Sequence, residues 1–141
     1  MSRRPEQRLW DRLRKVAAGK LYTERIENVV GVGRPDVDTL VSGNFMPIEL
    51  KQIAAWPARP TTRVLGNKGL SQVQKNWHLT WRRWGGSSLI VVGVGDEVFA
   101  FNGATADHVN EYNTREFRAA AMIVGLEPIV DMLVKLGERQ Q

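Results

Sequence analysis

Two acids and a lysine, Asp36, Glu49 and Lys51, are the side chains whose types and spacing point to chemistry in this sequence. Residues 36–41 and 45–51 alternate aliphatic or β-branched side chains with polar ones, which is the pattern of two half-buried strands. Ser42-Gly43-Asn44 between them reads as a tight hairpin turn. Successive strand side chains point to opposite faces, so the pairing follows from the turn. A turn at Ser42-Gly43 sets Asp36 opposite Glu49. A turn at Gly43-Asn44 sets Asp36 opposite Lys51 and Asp38 opposite Glu49. In either register Asp36, Glu49 and Lys51 share one face, and Val37, Val41, Met46, Ile48 and Leu50 take the other, which reads as core.

Two carboxylates one strand apart repel when both are ionised, and a hard divalent cation between them removes the repulsion. Mg²⁺ or Mn²⁺ is therefore the expected cofactor, held by Asp36 and Glu49. Such an ion activates water and offsets charge on a phosphorus centre. Lys51, on the same face, is placed to hold the attacking water or to neutralise the transition state. The reaction these residue types point to is metal-dependent phosphodiester hydrolysis.

Pro35-Asp36, twelve intervening residues and then Glu49-Leu50-Lys51 resemble the P-D…(D/E)-x-K signature of the PD-(D/E)XK nuclease superfamily. The wider run, with Glu27-Asn28, Gly33-Arg34-Pro35-Asp36, Leu70-Ser71-Gln72-Val73-Gln74 and Trp77, is similar to the VRR-NUC-like nucleases, whose relatives include phage enzymes and Holliday junction resolvases. The similarity spans roughly residues 5–102. It implies Asp36 and Glu49 as metal ligands, the Leu50 main-chain carbonyl as a third, Lys51 as the catalytic lysine and Gln74 as a supporting catalytic residue on the next helix. It also makes Glu27 a candidate ligand and Arg34 a candidate DNA contact. An acid on the first helix, here Glu6, lies near the metal in some relatives; by itself Glu6 reads as an ordinary acid in a helix first turn. Which of Glu6, Glu24 or Glu27 joins the site stays open.

The chain has 141 residues, 43% of them hydrophobic and 25% charged, which fits one soluble globular domain; the resemblance implies a single nuclease domain over residues 1–141. No apolar run approaches the length of a membrane span, and the charged start does not resemble a signal peptide. The absence of cysteine excludes disulfides and cysteine-ligated zinc and fits a reducing cytoplasm; the resemblance implies that of a bacterial or phage-infected cell. A net charge of +5 is compatible with a nucleic-acid partner.

The remaining elements follow by pattern. Residues 5–18 read as a helix whose apolar stripe is Leu9, Trp10, Leu13, Val16 and Ala17, and residues 21–30 as a first strand. Residues 54–69 read as a long loop with Trp56 near its start, and its charges, Arg59, Arg63 and Lys68, are all basic, as a DNA-holding clamp would need. Ser71 caps a helix to residue 84, with Val73, Trp77, Trp81 and Trp84 on one stripe that reads as core. His78 on that helix reads as a satisfied polar residue. Residues 88–94 and 97–101 give two strands joined near Gly95-Asp96. Residues 113–138 read as a helical C-terminal extension beyond a core over 5–102. The expected fold is α/β, a restriction-endonuclease-like core in the order α-β-β-β-α-β with a mixed central sheet flanked by helices.

The function expected is a divalent-metal-dependent DNA endonuclease, selective by structure for branched or junction DNA, with duplex or branched DNA as its partner. The alternative is a non-catalytic DNA-binding module on a nuclease-like fold; the complete Asp36–Glu49–Lys51 set favours the enzyme. Cutting two strands is simplest with two copies, so a homodimer is expected, with the C-terminal apolar stripe as its candidate interface.

Overall fold

The alternation expected from 36 to 51 forms a hairpin, and the sheet grows outward from it. The computed structural model describes residues 3–26 and 33–139, residues 3 and 4 as backbone only. Strand β2 (Val37–Val41) and strand β3 (Asn44–Ile53) pair antiparallel, with Val37 opposite Ile48 and Val41 opposite Asn44. Ser42 and Gly43 both carry positive φ, 50° and 80°, as a primed two-residue turn requires. This is the register that carries Asp36, one residue before β2, towards Glu49.

The described elements run α1 (Arg3–Ala17), β1 (Tyr22–Arg25), β2, β3, α2 (Gln72–Arg83), β4 (Leu89–Val94), β5 (Glu97–Asn102), α3 (Thr114–Ala120), β6 (Ile123–Val124) and α4 (Leu126–Arg139), with short 3₁₀ turns at Gly66–Lys68, Gly103–Thr105 and Val109–Glu111. The six strands lie side by side in sequence order. Among the described strands only β3 and β4 pair in parallel, Ile48 opposite Leu89 and Lys51 opposite Val92. The mixed sheet flanked by helices is the restriction-endonuclease-like α/β fold that the pattern predicts.

Each face of the sheet has its own core. On one, Leu9, Leu13 and Ala17 of α1 and Ile129, Val130 and Leu133 of α4 cover Val37, Met46, Ile48 and Leu50. On the other, Ile90, Val92, Phe99 and Phe101 meet Phe117 of α3 and Val64, Leu65 and Leu70. Each fully buried Val, Leu, Ile or Phe side chain among these contributes about 1.5–3 kcal/mol. Strand β4 is buried at every position, as its uninterrupted apolar run predicts.

Three expectations change. The first strand is shorter than residues 21–30, covering Tyr22–Arg25, and residues 27–32, Glu27 included, lie outside the described residues. The C-terminal segment is not an all-helical extension: β6 extends the sheet beside β5, and α4 seals the first core. The stripe Ile129–Leu133 is thereby spent on that core, while Met132 and Leu136 stay half-buried at its edge. The third change concerns α2. Trp84 is 84% exposed, Val73 is exposed, Trp77 and Trp81 are half-buried, and the one buried residue of the helix is His78. The tryptophan stripe is not core. Among the described residues no helix is long and apolar enough to cross a membrane.

Candidate active site

Glu49 stands near the middle of β3, paired with Ile90 of β4, and is 1% exposed. Strand alternation sends Leu50 into the α1–α4 core and Glu49 and Lys51 to the opposite face. Glu49 Oε2 accepts a hydrogen bond from Gln74 Nε2 at 3.2 Å, whereas Oε1 is buried with no hydrogen-bond partner. A buried carboxylate oxygen in that state is costly unless it holds a proton or meets a cation. The Glu49 carboxyl is accordingly pushed well above the usual carboxylate range, first by burial and then by the charge of the neighbouring Asp36; Lys51 pulls the other way and Glu6 adds a smaller push.

Asp36 is half-buried, and its Oδ2 accepts from the Leu50 N–H at 3.1 Å. β2 begins at Val37 opposite Ile48, so beyond that pair Asp36 takes the place of a strand partner for β3. A strand residue that shares both bonds with a partner sends its N–H and C=O to the same side, so Leu50 turns its carbonyl towards the edge where Asp36 sits. Lys51 is half-buried on the Glu49 face.

Helix α2 is set against this site at its first turn. Ser71 caps it, its Oγ accepting from the Gln74 N–H at 3.2 Å, while Gln74 Oε1 accepts from the Ser71 N–H at 2.9 Å. The same side-chain amide thus has its oxygen fixed by the cap and its nitrogen turned to Glu49. Gly33 passes so close to α2 that a Cβ there would stand 2.4 Å from the Val73 carbonyl oxygen, and its φ is +74°. Only glycine lets the approach to Asp36 lie against the helix that carries Gln74.

The structure therefore brings Asp36, Glu49, Lys51 and Gln74 together, in the register with Asp36 beside Glu49. Glu6 joins them electrostatically. The sequence signal was present: Glu6 lies three residues before Leu9, on the stripe of α1 that faces the sheet. Glu24 is exposed on the outermost strand, opposite Asp38. Arg34 is held by Asp38, Nη2 to Oδ2 at 2.6 Å, which ties it to the edge of the site.

Residues 54–69 are an ordered insertion. Trp56 packs edge-on against Phe99 and Phe117, donates to Glu97 Oε1 and lies under the Arg118 guanidinium, 4.2 Å from the ring centre. Val64 N–H donates to the Tyr112 carbonyl, and the Asn110 amide exchanges two hydrogen bonds with Leu70. Arg59, Arg63 and Lys68 are exposed, the last two on an open groove of about 590 Å³ that starts at Ile53, two residues beyond Lys51.

His78 is fully buried, its Nδ1 2.7 Å from Ser88 Oγ and its Nε2 without a partner, and burial lowers its pKa to about 4. It is thus only half satisfied. It is neutral at pH 7.

The fold is that of an α/β domain of the restriction-endonuclease-like class. No protein-family model and no curated protein matches the chain. Among solved structures it is similar to Hjc of Archaeoglobus fulgidus, a Holliday junction resolvase from an archaeal hyperthermophile, with a TM-score of 0.58 and 14% identity over 92% of this chain and 98% of that one. At that identity the likeness establishes the shared fold.

Proposed function

We propose that this chain is a divalent-metal-dependent DNA endonuclease of the PD-(D/E)XK type, one domain over residues 1–141, that hydrolyses phosphodiester bonds in branched or junction DNA. The observation that carries the reading is the buried, unpartnered Oε1 of Glu49 beside Asp36. A hard cation is the partner that this pair fits. Among the described residues no three His, Cys, Asp or Glu side chains form a metal-holding group. Mg²⁺ or Mn²⁺ would instead be held by two acids, Asp36 and Glu49, and the Leu50 carbonyl, with water and DNA phosphate completing its shell. Bound there, the ion supplies activated water and charge neutralisation at phosphorus.

The chain's own residues have separate tasks. Gln74 fixes the Glu49 carboxylate, and the Leu50 N–H fixes Asp36. Lys51, on the same face, stabilises the negative charge that develops on the phosphate oxygens. Glu6 adds negative potential that raises the Glu49 pKa and would draw a cation to the pair. Glu27 of the Glu27-Asn28 pair is a further candidate ligand, and Arg34, Arg59, Arg63 and Lys68 are proposed to contact DNA phosphates. The likeness to a Holliday junction resolvase supports branched DNA as the substrate. Cleaving both strands of a junction needs two sites, so a homodimer is proposed; Met132 and Leu136, half-buried at the edge of the first core and lining an open groove with Ile123 and Pro128, are its candidate contacts.

The test is cleavage of linear duplex, single strand, splayed fork and four-way junction, each with Mg²⁺, Mn²⁺ or chelator. The expected result is cutting that needs the metal and favours a branched substrate. Metal-independent cutting, or binding without cutting under every condition, would refute it.

A further inference from the structure

The stripe on α2 that is not core forms an aromatic wall beside the site. Trp77 and Trp81 stack on each other, ring centres 4.9 Å apart and planes 19° from parallel. Trp81 is pinned: its indole N–H donates to the Ser87 carbonyl at 2.8 Å, and Phe45 near the start of β3 meets it edge-on at 6.2 Å. Phe45 is 39% exposed, and Trp84, at the end of the helix, is 84% exposed. Large aromatic rings held in fixed orientations at a surface mark a binding face.

Charge indicates the occupant. Between Lys51 and Asp96 the chain contains no acidic residue, and α2 carries Lys75, Arg82 and Arg83. A second copy docked by a twofold axis would bring these like charges together with no acid on the helix to pair them. A polyanion with flat, stackable groups suits the same face.

Position indicates its role. Gln74 touches Glu49 at the start of α2, and Trp77 and Trp81 follow about 4.5 Å and about 10 Å further along the helix axis. One strand of DNA covers those distances in about one to three nucleotides.

Resting on the reading that the site acts on DNA, we infer that the Trp77–Trp81 wall, flanked by Phe45 and Trp84, is a stacking platform for unpaired bases of a single strand next to the cleaved phosphate. A duplex keeps its bases stacked on one another and offers them nothing to gain. A fork or junction arm that exposes unpaired bases gains ring contacts, which gives the protein a physical means of choosing branched over linear DNA.

The test is fluorescence anisotropy in chelator, with a labelled oligothymidine of fifteen nucleotides and a linear duplex of equal length as separate probes. Trp84→Ala, Trp81→Leu and Trp77→Leu are each expected to weaken single-strand binding about fivefold to a hundredfold and duplex binding less than about twofold. Trp84 is so exposed that its variant reads the surface alone, whatever the other two do to folding. Equal losses on both probes, or no loss for Trp84→Ala and Trp81→Leu, would overturn the inference. So would a wild-type dimer in sedimentation that these variants convert to monomer with single-strand affinity unchanged, because the wall would then be covered by a second copy. Selective single-strand binding without metal-dependent cutting would strike the nuclease reading and leave the platform standing.

Discussion

Gln74 Nε2 donates to Glu49 Oε2 at 3.2 Å while the Oε1 of the same amide accepts from the Ser71 N–H at 2.9 Å, so one side chain caps α2 and holds the buried acid. Gln74→Ala removes both bonds. It should cost about 1–3 kcal/mol in urea unfolding and lower the single-turnover cleavage rate about tenfold. An unchanged rate in a folded variant would separate the cap from the chemistry.

Burial and Asp36 raise the Glu49 pKa above its unfolded value. The sign follows: without metal, the contribution of Glu49 to stability is fully present below the ordinary carboxylate range and is lost as pH rises through the raised folded value. Glu49→Gln does not titrate. Its melting-temperature advantage over wild type, measured in chelator, should therefore be larger at pH 8 than at pH 5. Adding Mn²⁺ at pH 8 should stabilise the wild type and leave the variant nearly unmoved. A gap that stays constant with pH would contradict the environment described for Glu49.

His78 behaves in the opposite sense. Its folded pKa of about 4 lies below the ordinary value of 6.5, so stability is lost as pH falls from about 6.5 towards 4. The full cost is about 3 kcal/mol. His78→Gln should remove that acid sensitivity, measured as the change in unfolding free energy between pH 7 and pH 4.5. The same slope in the variant would place the acid sensitivity elsewhere.

Much of this was legible in the sequence because it depends on local rules. Two-residue alternation and the Ser42-Gly43 turn carry the hairpin, and with it the meeting of Asp36 and Glu49. Ser71 and Gln74 spell a capping box. The α2 tryptophans were misread because periodicity tells which side chains share a face, not which face is covered. The line of α2 that turns inward is Gln74 and His78, four residues apart, and these polar groups can face the sheet because Glu49 and Ser88 meet them. Trp77 lies about 100° round the helix from His78 and is left at the margin. β6 is two residues long, too short to show a period inside a run that reads as helix. The irregular path of residues 54–69 was signalled by its prolines and glycines, but its anchoring rests on Tyr112 and Asn110, some forty residues away.

The exposed Arg59, Arg63 and Lys68 of that insertion are expected to hold DNA without taking part in the chemistry. Each phosphate contact adds about −0.9 to the slope of log affinity against log salt, so replacing all three with alanine should flatten the slope by up to about three units. Affinity should fall alike for all sequences. An unchanged slope in binding titrations would show that the DNA lies elsewhere.

The central claim is that Glu49 is a working ligand and not a buried structural acid. The direct measurement is single-turnover cleavage of a four-way junction in Mn²⁺ by wild type and by Glu49→Gln, which keeps the size of the side chain and removes its charge. The account predicts a folded variant that still binds the junction and cuts it about 10²–10³-fold more slowly. A folded Glu49→Gln protein that cuts at the wild-type rate would contradict it.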